Sequence, residues 1–290
     1  MNKSTSSILI ILVVSTITMI FFNGCDQIEP PYKETITYEN KDTVRNVVLE
    51  EFTGHLCVNC PSAAASIHDM KHIYGENLIV ISVHAGFFAK TQSAPYDYDF
   101  TTPSGEALDN EFNVQSYPIG LVSRINSNDQ YKYNVSEWSF YVDSLINESP
   151  AALLELSADY NNSSREVDIE VSGTVLNQID GDYNLSVVVT EDSIVKPQKN
   201  NDPQLGPTPD IMDYVHDHVL RGSVNGNWGE NYFSGPKDSL DILPEKQYTY
   251  TIDNEWKAKY CNIIAFIYRS DNNANNEYEI IQAAKARLTQ

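Results

Sequence analysis

The pattern of apolar and polar positions predicts a strand, a helix and a second strand at the start of the folded region. Residues 43–52 are rich in β-branched side chains and are typical of a strand. Between residues 61 and 74 apolar side chains recur about every 3.6 positions, and Gly75 ends that pattern. Residues 77–83 are almost continuously apolar, which indicates a strand buried on both faces. This order predicts a βαβ unit.

The periodicity changes after Pro150. Before it, the sequence predicts helices at 105–112 and 136–146 and a hairpin between them. After it, short segments alternate apolar and polar residues with a period of two, which predicts an antiparallel sandwich of immunoglobulin-like type. The hairpin strands are 121–125 and 130–133, and the alternating segments are 154–158, 167–173, 185–191, 248–252, 263–268 and 280–288. The expected fold class is therefore α/β plus all-β.

The first residues carry the pattern of an export signal. Lys3 precedes a mostly apolar run at 8–22, and Gly24 stands before Cys25. That run is shorter than the roughly 20 residues of a spanning helix, although ordinary secretion and an uncleaved anchor remain alternatives. Gly24-Cys25 resembles a lipoprotein processing site, at which Cys25 becomes lipidated. We expect a signal peptide at 1–24, a tether at 25–42, and two domains at 43–149 and 150–290.

Composition limits the classes of partner and places the cysteines. The net charge of −21, spread along the chain, argues against nucleic acid or an anionic bilayer as a partner. Of the four cysteines, Cys25 is assigned to lipid, Cys261 is expected to be a buried core thiol, and Cys57 and Cys60 form a close pair. Disulfides persist in exported proteins, so we expect this pair to be oxidised.

The pair lies at the first strand-to-helix turn. The helix N-terminus favours an anion, which predicts a lowered pKa for Cys57 as the attacking thiolate, with Cys60 as the resolving thiol. The alternative is a static disulfide that fixes the start of the helix. His68 and His72 are not expected to complete a metal site, because eight residues separate Cys60 from His68, about 12 Å along a helix. No metal and no cofactor is expected.

The context of this motif resembles thioredoxin over residues 43–148. Residues 51–60 line up without a gap with acid-Phe-Trp-Ala-x-Trp-Cys-Gly-Pro-Cys, and residues 112–118 resemble Phe-x-Val-x-x-x-Pro, whose proline is cis. The resemblance implies that Glu51 is a buried acid that accepts the proton of Cys60. It also implies that Pro118 is cis and holds the backbone of Tyr117 as a docking edge for substrate. This sequence departs from that pattern at both tryptophans and at the Gly-Pro dipeptide.

Within that range, the chain most resembles the twenty-eight-kilodalton outer-membrane-protein family of Bacteroidota lipoproteins. The residues that carry this resemblance are Thr53-Gly54-x-x-Cys57-x-x-Cys60-Pro61 and the stretch 214–221. It implies an outer-membrane location, on the periplasmic face or the cell surface. Two hypotheses follow. One is a membrane-tethered thiol-disulfide oxidoreductase acting on envelope proteins or peptides, and the other is a non-catalytic binding or assembly lipoprotein with a structural disulfide.

Three further features are left open by the sequence. His216 and His218 alternate on a predicted strand and are expected to share a face, as a metal or ligand site or as an interdomain or surface face. The aromatic stretch 87–98 is either a partner surface or part of the core. The proline-rich loop 197–209 is long, and long loops in compact domains are often functional or mobile.

Overall fold

The computed structural model describes residues 44–271 and 275–288, all of which belong to one compact unit, Asn40–Gln290. The predicted signal peptide and tether, with Cys25, lie outside the described residues. None of the described helices is long and apolar enough to cross a membrane.

The described residues form a mixed α/β structure with several sheets. The α-helices are α1 (Cys60–Tyr74), α2 (Gly86–Ala89), α3 (Pro103–Glu111) and α4 (Val135–Ile146), and 3₁₀ turns lie at Gly75–Asn77 and Ala258–Tyr260. The first strands are β1 (Val47–Thr53), β2 (Leu78–His84), β3 (Ile119–Val122), β4 (Lys132–Tyr133), β5 (Ala152–Asn161), β6 (Glu166–Val175) and β7 (Asp182–Glu191). The remaining strands are β8 (Ile194–Val195), β9 (Gln198–Lys199), β10 (Asp210–Ile211), β11 (Val215–His216), β12 (Val219–Ser223), β13 (Glu230–Ser234), β14 (Ile242–Thr251), β15 (Cys261–Arg269) and β16 (Ile280–Arg287).

The βαβ unit lies in the largest sheet. β1 and β2 pair in parallel from Val47 opposite Leu78 to Thr53 opposite His84, and β3 pairs antiparallel with β1. Every residue of β1 and β2 is buried, because α1 and α4 cover one face and α3 covers the other. The C-terminal ends of β1 and β2 therefore meet at the same edge of the sheet, next to the start of α1.

Strands from both sides of residue 150 form this sheet. Its order is β16-β15-β7-β12-β2-β1-β3-β4, with β13 paired to β7. Val219 of β12 pairs in parallel with Ser82 of β2, and β12 then continues antiparallel to β7. A separate sheet of β14, β6 and β5 packs against β7 and β15 through one apolar cluster, which includes Val167, Val187 and Ile263.

Local expectations differ from the structure in two places. The predicted hairpin is shorter, because Ser123 and Arg124 adopt left-handed φ angles of 43° and 48°. This turn directs the Arg124 guanidinium to the buried Glu50 carboxylate, with N–O distances of 2.7 and 2.6 Å. The second difference is residues 194–217, which contain two nested pairs of two-residue strands, β8 with β11 and β9 with β10. We call residues 194–217 the cap segment.

Candidate thiol-disulfide site

Cys57 and Cys60 form a disulfide in the turn between β1 and α1, with their Cα atoms 5.4 Å apart. The turn is closed by hydrogen bonds from the Cys57 amide to the Gly54 carbonyl and from the Cys60 amide to the Cys57 carbonyl. Cys60 is the first residue of α1, and Pro61 occupies the first turn, where its missing N–H costs no helical hydrogen bond.

Both sulfur-bearing residues are buried. Cys57 is 2% exposed and Cys60 is 3% exposed, whereas Val58 between them is 39% exposed. A thiolate that attacks another disulfide must reach it, so the burial of Cys57 is as important to function as its position before the helix. Access to the pair therefore depends on the residues that cover it.

Gln198 of the cap segment closes over the disulfide. Its side-chain Nε2 donates to the carbonyl oxygen of Cys57 at 2.8 Å, and the carbonyl oxygens of Lys199 and Gly54 also lie within reach at 3.0 and 3.3 Å. The side chain is 2% exposed, so these bonds are shielded from water. A buried amide that loses its hydrogen-bond partners destabilises the structure by about 1–3 kcal/mol. The Gln198 side chain therefore holds the cap segment against the cysteine turn.

The backbone of the cap segment follows the same turn. The Lys199 amide donates to the His55 carbonyl at 2.8 Å, and the Asn201 amide donates to the Val58 carbonyl at 3.2 Å. The Asn201 side chain also donates to Asn59 Oδ1 at 2.7 Å. The loop around the cysteines is thus held by a segment that lies far from it in sequence.

Helix α2 closes the turn from another side. The Leu56 amide donates to the Phe88 carbonyl at 3.0 Å, and a ring nitrogen of His55 lies 3.1 Å from the Lys90 carbonyl. A Cβ on Gly54 would collide with the Phe88 carbonyl group, which explains the glycine of the Thr-Gly-x-x-Cys signature. Phe87 is exposed, whereas Tyr96 and Phe100 of the same aromatic region are buried. That region therefore contributes to the core as well as to the surface.

Glu51 lies on β1 and points to the α1 side of the sheet. It is 3% exposed, and Ser82 Oγ donates to its Oε2 at 3.2 Å, while Oε1 has no hydrogen-bond partner among the described residues. Burial raises the pKa of the Glu51 carboxyl to about 7, against the weaker opposing effects of the nearby Ser82 and Thr53 hydroxyls. A carboxyl with this pKa exchanges a proton near neutral pH, as a general acid or base requires.

His84 and His216 line the same small cavity as Glu51, and His84 was not among the site residues expected from the sequence. His84 ends β2, is 3% exposed and stacks on Phe100 with ring centroids 4.5 Å apart. Its ring centroid is 5.5 Å from that of His216. Burial lowers the pKa of His84 well below its usual value and that of His216 to about 3, so both rings are neutral. His84 directly follows the apolar run 77–83, and this position at the shared strand edge was the available signal.

The expectation for His216 and His218 is wrong. Strand β11 ends at His216, and His218 has a left-handed φ of 60°, so the two side chains do not share a strand face. His216 points inward, whereas His218 Nδ1 lies 3.0 Å from the Asp192 carboxylate near the surface. Among residues 44–271 and 275–288, no three His, Cys, Asp or Glu side chains are arranged to hold a metal ion.

Tyr117 and Pro118 lie at the same end of β1. The Tyr117–Pro118 peptide bond is cis, and Pro118 directly precedes Ile119, which pairs with Phe52 next to Thr53. Both residues are half-buried. The Tyr117 hydroxyl donates to Asp109, and its ring lies 5.6 Å from that of Phe88, so the tyrosine side chain is held between α3 and α2.

Comparisons with solved structures give a fold likeness over most of the chain. HBP35 of Porphyromonas gingivalis matches with a TM-score of 0.61 and 18% identity, over 84% of this chain and 76% of that one. A protein of Agrobacterium tumefaciens matches with a TM-score of 0.51 and 13% identity, over 85% of this chain and 96% of that one. A domain of the outer membrane lipoprotein Omp28 from P. gingivalis matches with a TM-score of 0.32 and 19% identity, over 48% of this chain and 88% of that one.

No curated protein matches the chain. The family model described as "Outer membrane protein Omp28" matches residues 105–289, which is more than half of the sequence. This match confirms the family predicted from the cysteine signature and the stretch 214–221, and it places the protein at the outer membrane. The chain therefore belongs to the Omp28 family of outer membrane proteins.

Proposed function

We propose that this protein is an outer-membrane lipoprotein whose Cys57–Cys60 pair exchanges disulfides with other envelope proteins. The observation that carries the proposal is that Cys60 and the Glu51 carboxyl line the same small cavity under the turn. A static disulfide needs no proton acceptor beside it, whereas thiol exchange does. The half-buried Tyr117–Pro118 step at the same sheet edge supports a docking edge for an extended substrate segment.

The reaction runs between sulfur atoms. In the dithiol form, the Cys57 thiolate attacks a substrate disulfide, forms a mixed disulfide, and releases one substrate thiolate. Cys60 then loses its proton to Glu51 and attacks the Cys57 sulfur, so that the Cys57–Cys60 bond forms and the second substrate thiolate leaves. Two electrons pass to the substrate, and an envelope thiol reductant regenerates the dithiol. This chemistry requires no metal or cofactor.

The proposed organisation follows the family and the fold. Residues 43–149 form a thioredoxin-like domain. The strand-turn-helix unit that carries the cysteine pair supports this assignment. Residues 150–290 form an immunoglobulin-like sandwich, supported by the packing of β5, β6 and β14 against β7 and β15. A signal peptide at 1–24 is removed, and a lipid on Cys25 anchors the chain through the tether 25–42.

A second candidate function is supported by the burial of the cysteines. The burial of Cys57, 2% exposed beneath Gln198, supports a structural disulfide that fixes the start of α1. In that case the protein is a binding or assembly lipoprotein without turnover. Exchange with a protein substrate requires the cap segment to move away, and a structural role does not.

The test is catalysed reduction of insulin by dithiothreitol with the full mature chain. We expect acceleration by the wild-type protein and by Cys261→Ser, whose thiol is 1% exposed and outside the site. Cys57→Ser is expected to abolish the acceleration. Equal rates for the wild type and Cys57→Ser would assign the disulfide to the structural role.

A further inference from the structure

The cavity beneath the disulfide has a volume of about 30 Å³, and most of the side chains that line it are polar. That volume accommodates one or two water molecules, and a buried water needs two to four polar partners. Glu51 Oε1 and both ring nitrogens of His84 are buried without a well-formed hydrogen bond among the described residues, although the Thr53 side chain lies near the carboxyl and the Ser82 backbone near the imidazole. Ser82, His216 and Cys60 also line the cavity.

The Glu51 carboxyl and the His84 ring can both hydrogen-bond to a water in the cavity. Buried polar groups in folded proteins are nearly always hydrogen-bonded, so three such atoms around one cavity indicate a shared partner inside it. A neutral imidazole has one donor and one acceptor nitrogen. In one tautomer, the ring nitrogen that faces a water donates through it towards the ionised Glu51 carboxyl, and in the other tautomer the same nitrogen accepts from the protonated one. An apolar residue at position 84 can do neither.

We propose that the cavity is a hydrated proton-transfer site for thiol exchange, in which water links Glu51 to the positioning residue His84. This inference rests on the proposed function and names the path of its proton. When Cys60 is deprotonated to attack the mixed disulfide, the proton passes to Glu51, and the water and His84 hydrogen-bond to the protonated carboxyl. When the pair is reopened in the opposite direction, the same proton returns from Glu51 to Cys60.

His84 is a partner of the carboxyl and not a store for the proton. Its ring is buried against Phe100, and burial together with the neighbouring histidines and Arg221 keeps its pKa well below the usual value. The ring therefore stays neutral while Glu51 titrates. The titratable and charged groups that face Glu51 and His84 are Cys60 of α1, His55 of the turn, Tyr214, His216 and Asp217 of the cap segment, and Arg221 of β12.

The test measures Glu51 directly, without turnover. In infrared difference spectra of the oxidised full mature chain, the carboxyl band that is absent in Glu51→Gln gives the titration midpoint of Glu51. His84→Leu removes the hydrogen-bonding partner, which penalises the carboxylate more than the acid. We expect the midpoint to rise by about one pH unit or more, a tenfold change in the acid dissociation constant. His84→Gln keeps a donor and an acceptor and is expected to restore most of the wild-type midpoint.

A second measurement needs no substitution of His84. In the wild type with ¹⁵N-labelled histidine, the ring nitrogen signals of His84 are expected to shift at the Glu51 midpoint, and this transition is expected to be absent in Glu51→Gln. The exposed His72 supplies the control signal and is expected to be unaffected by Glu51→Gln. A His84→Leu midpoint equal to that of the wild type, or His84 signals that ignore Glu51, would overturn the link. A confirmed link in a protein that does not reduce insulin would instead overturn the proposed function.

Discussion

The side-chain amide of Gln198 donates a hydrogen bond to the carbonyl oxygen of Cys57 at 2.8 Å, although the two residues are 141 positions apart. This contact couples the fold of the second half of the chain to the exposure of the disulfide. Access to Cys57 is therefore a property of the cap segment as well as of the cysteine turn.

Gln198→Ala is expected to speed reduction of the disulfide. The substitution removes the side-chain bonds to Gly54 and Cys57, and hydrogen bonds of this kind contribute about 1 kcal/mol each. The opened state should become more populated, and the rate of reduction by a phosphine should rise by up to about 30-fold, measured by thiol labelling. Gln204→Ala changes an exposed amide in the same cap segment and should leave the rate unchanged. Equal rates for Gln198→Ala and the wild type would show that the cap segment does not limit access.

The βαβ unit and the position of the cysteine pair could be predicted from the sequence because both depend on local patterns. The helical spacing of 61–74, with Pro61 at its start and Gly75 at its end, agrees with α1 to within a residue. The apolar run at 77–83 corresponds to β2, which is buried throughout. In such segments neighbouring residues determine the structure, and the periodicity records which face is covered.

The cover over the pair could not be predicted, because its contacts join residues far apart in the chain. The cap segment has short strands of two residues, too few to show a period. The length of its proline-rich loop indicated a functional or mobile segment, but not which part of the fold the loop contacts. The role of His84 could not be predicted for the same reason. The rings around it, Phe100 and His216, belong to segments that are distant in sequence.

The sequence of β7 contained a weak indication that strands from both sides of residue 150 form one large sheet. Its burial pattern is nearly continuous, unlike the alternation in β6, and the run 187–189 consists of three valines. Continuous apolar runs are typical of strands covered on both faces. In sequence, β7 resembles the alternating strands because other positions in it, such as Asn184 and Ser186, are polar.

Glu51→Gln is expected to change the pH dependence of stability. In the folded protein the Glu51 pKa is about 7, raised by burial from an ordinary value of 4.5. Between these values the folded state holds the extra proton, so the Glu51 contribution to the free energy of unfolding falls as pH rises. The wild type should lose about 3 kcal/mol relative to Glu51→Gln between pH 4 and pH 8, measured by urea denaturation.

The difference between the wild type and Glu51→Gln isolates Glu51, because both proteins contain the same buried histidines, whose effect on the pH dependence of unfolding cancels. Glu166→Gln, which replaces an exposed carboxyl on β6, is the matched control for the loss of one negative charge. A constant difference between the wild type and Glu51→Gln across this range would contradict the raised pKa.

The Glu50–Arg124 pair is expected to behave as one unit. Both side chains are at most 3% exposed, and the guanidinium lies 5.1 Å from the centroid of the Phe266 ring. Arg124→Met leaves the Glu50 charge buried without its partner, which should cost about 3–5 kcal/mol of unfolding free energy. Replacing both residues by methionine should cost less than the sum of the two single substitutions. Additive losses in the double-mutant cycle would rule out this coupling.

Gly54→Ala is expected to destabilise the turn that carries Cys57. The added Cβ meets the backbone carbonyl of Phe88, which cannot rotate away as a side chain can. Overpacking of this kind costs about 1–3 kcal/mol, measurable as a lower denaturation midpoint. Gly222→Ala is the matched control, because its added Cβ lies 3.2 Å from the movable hydroxyl of Tyr250. A smaller loss for Gly54→Ala than for Gly222→Ala would contradict the role assigned to the close approach.

The reduction potential of the Cys57–Cys60 pair tests the central claim most directly. It is measured by equilibrating the full mature chain in dithiothreitol redox buffers and counting free thiols, with Cys261 labelled in both forms as the internal reference. Exchange with envelope proteins predicts a potential above about −300 mV, in the range of thiol-disulfide oxidoreductases. A potential below about −300 mV, together with no acceleration of insulin reduction, would contradict exchange and assign the disulfide a structural role.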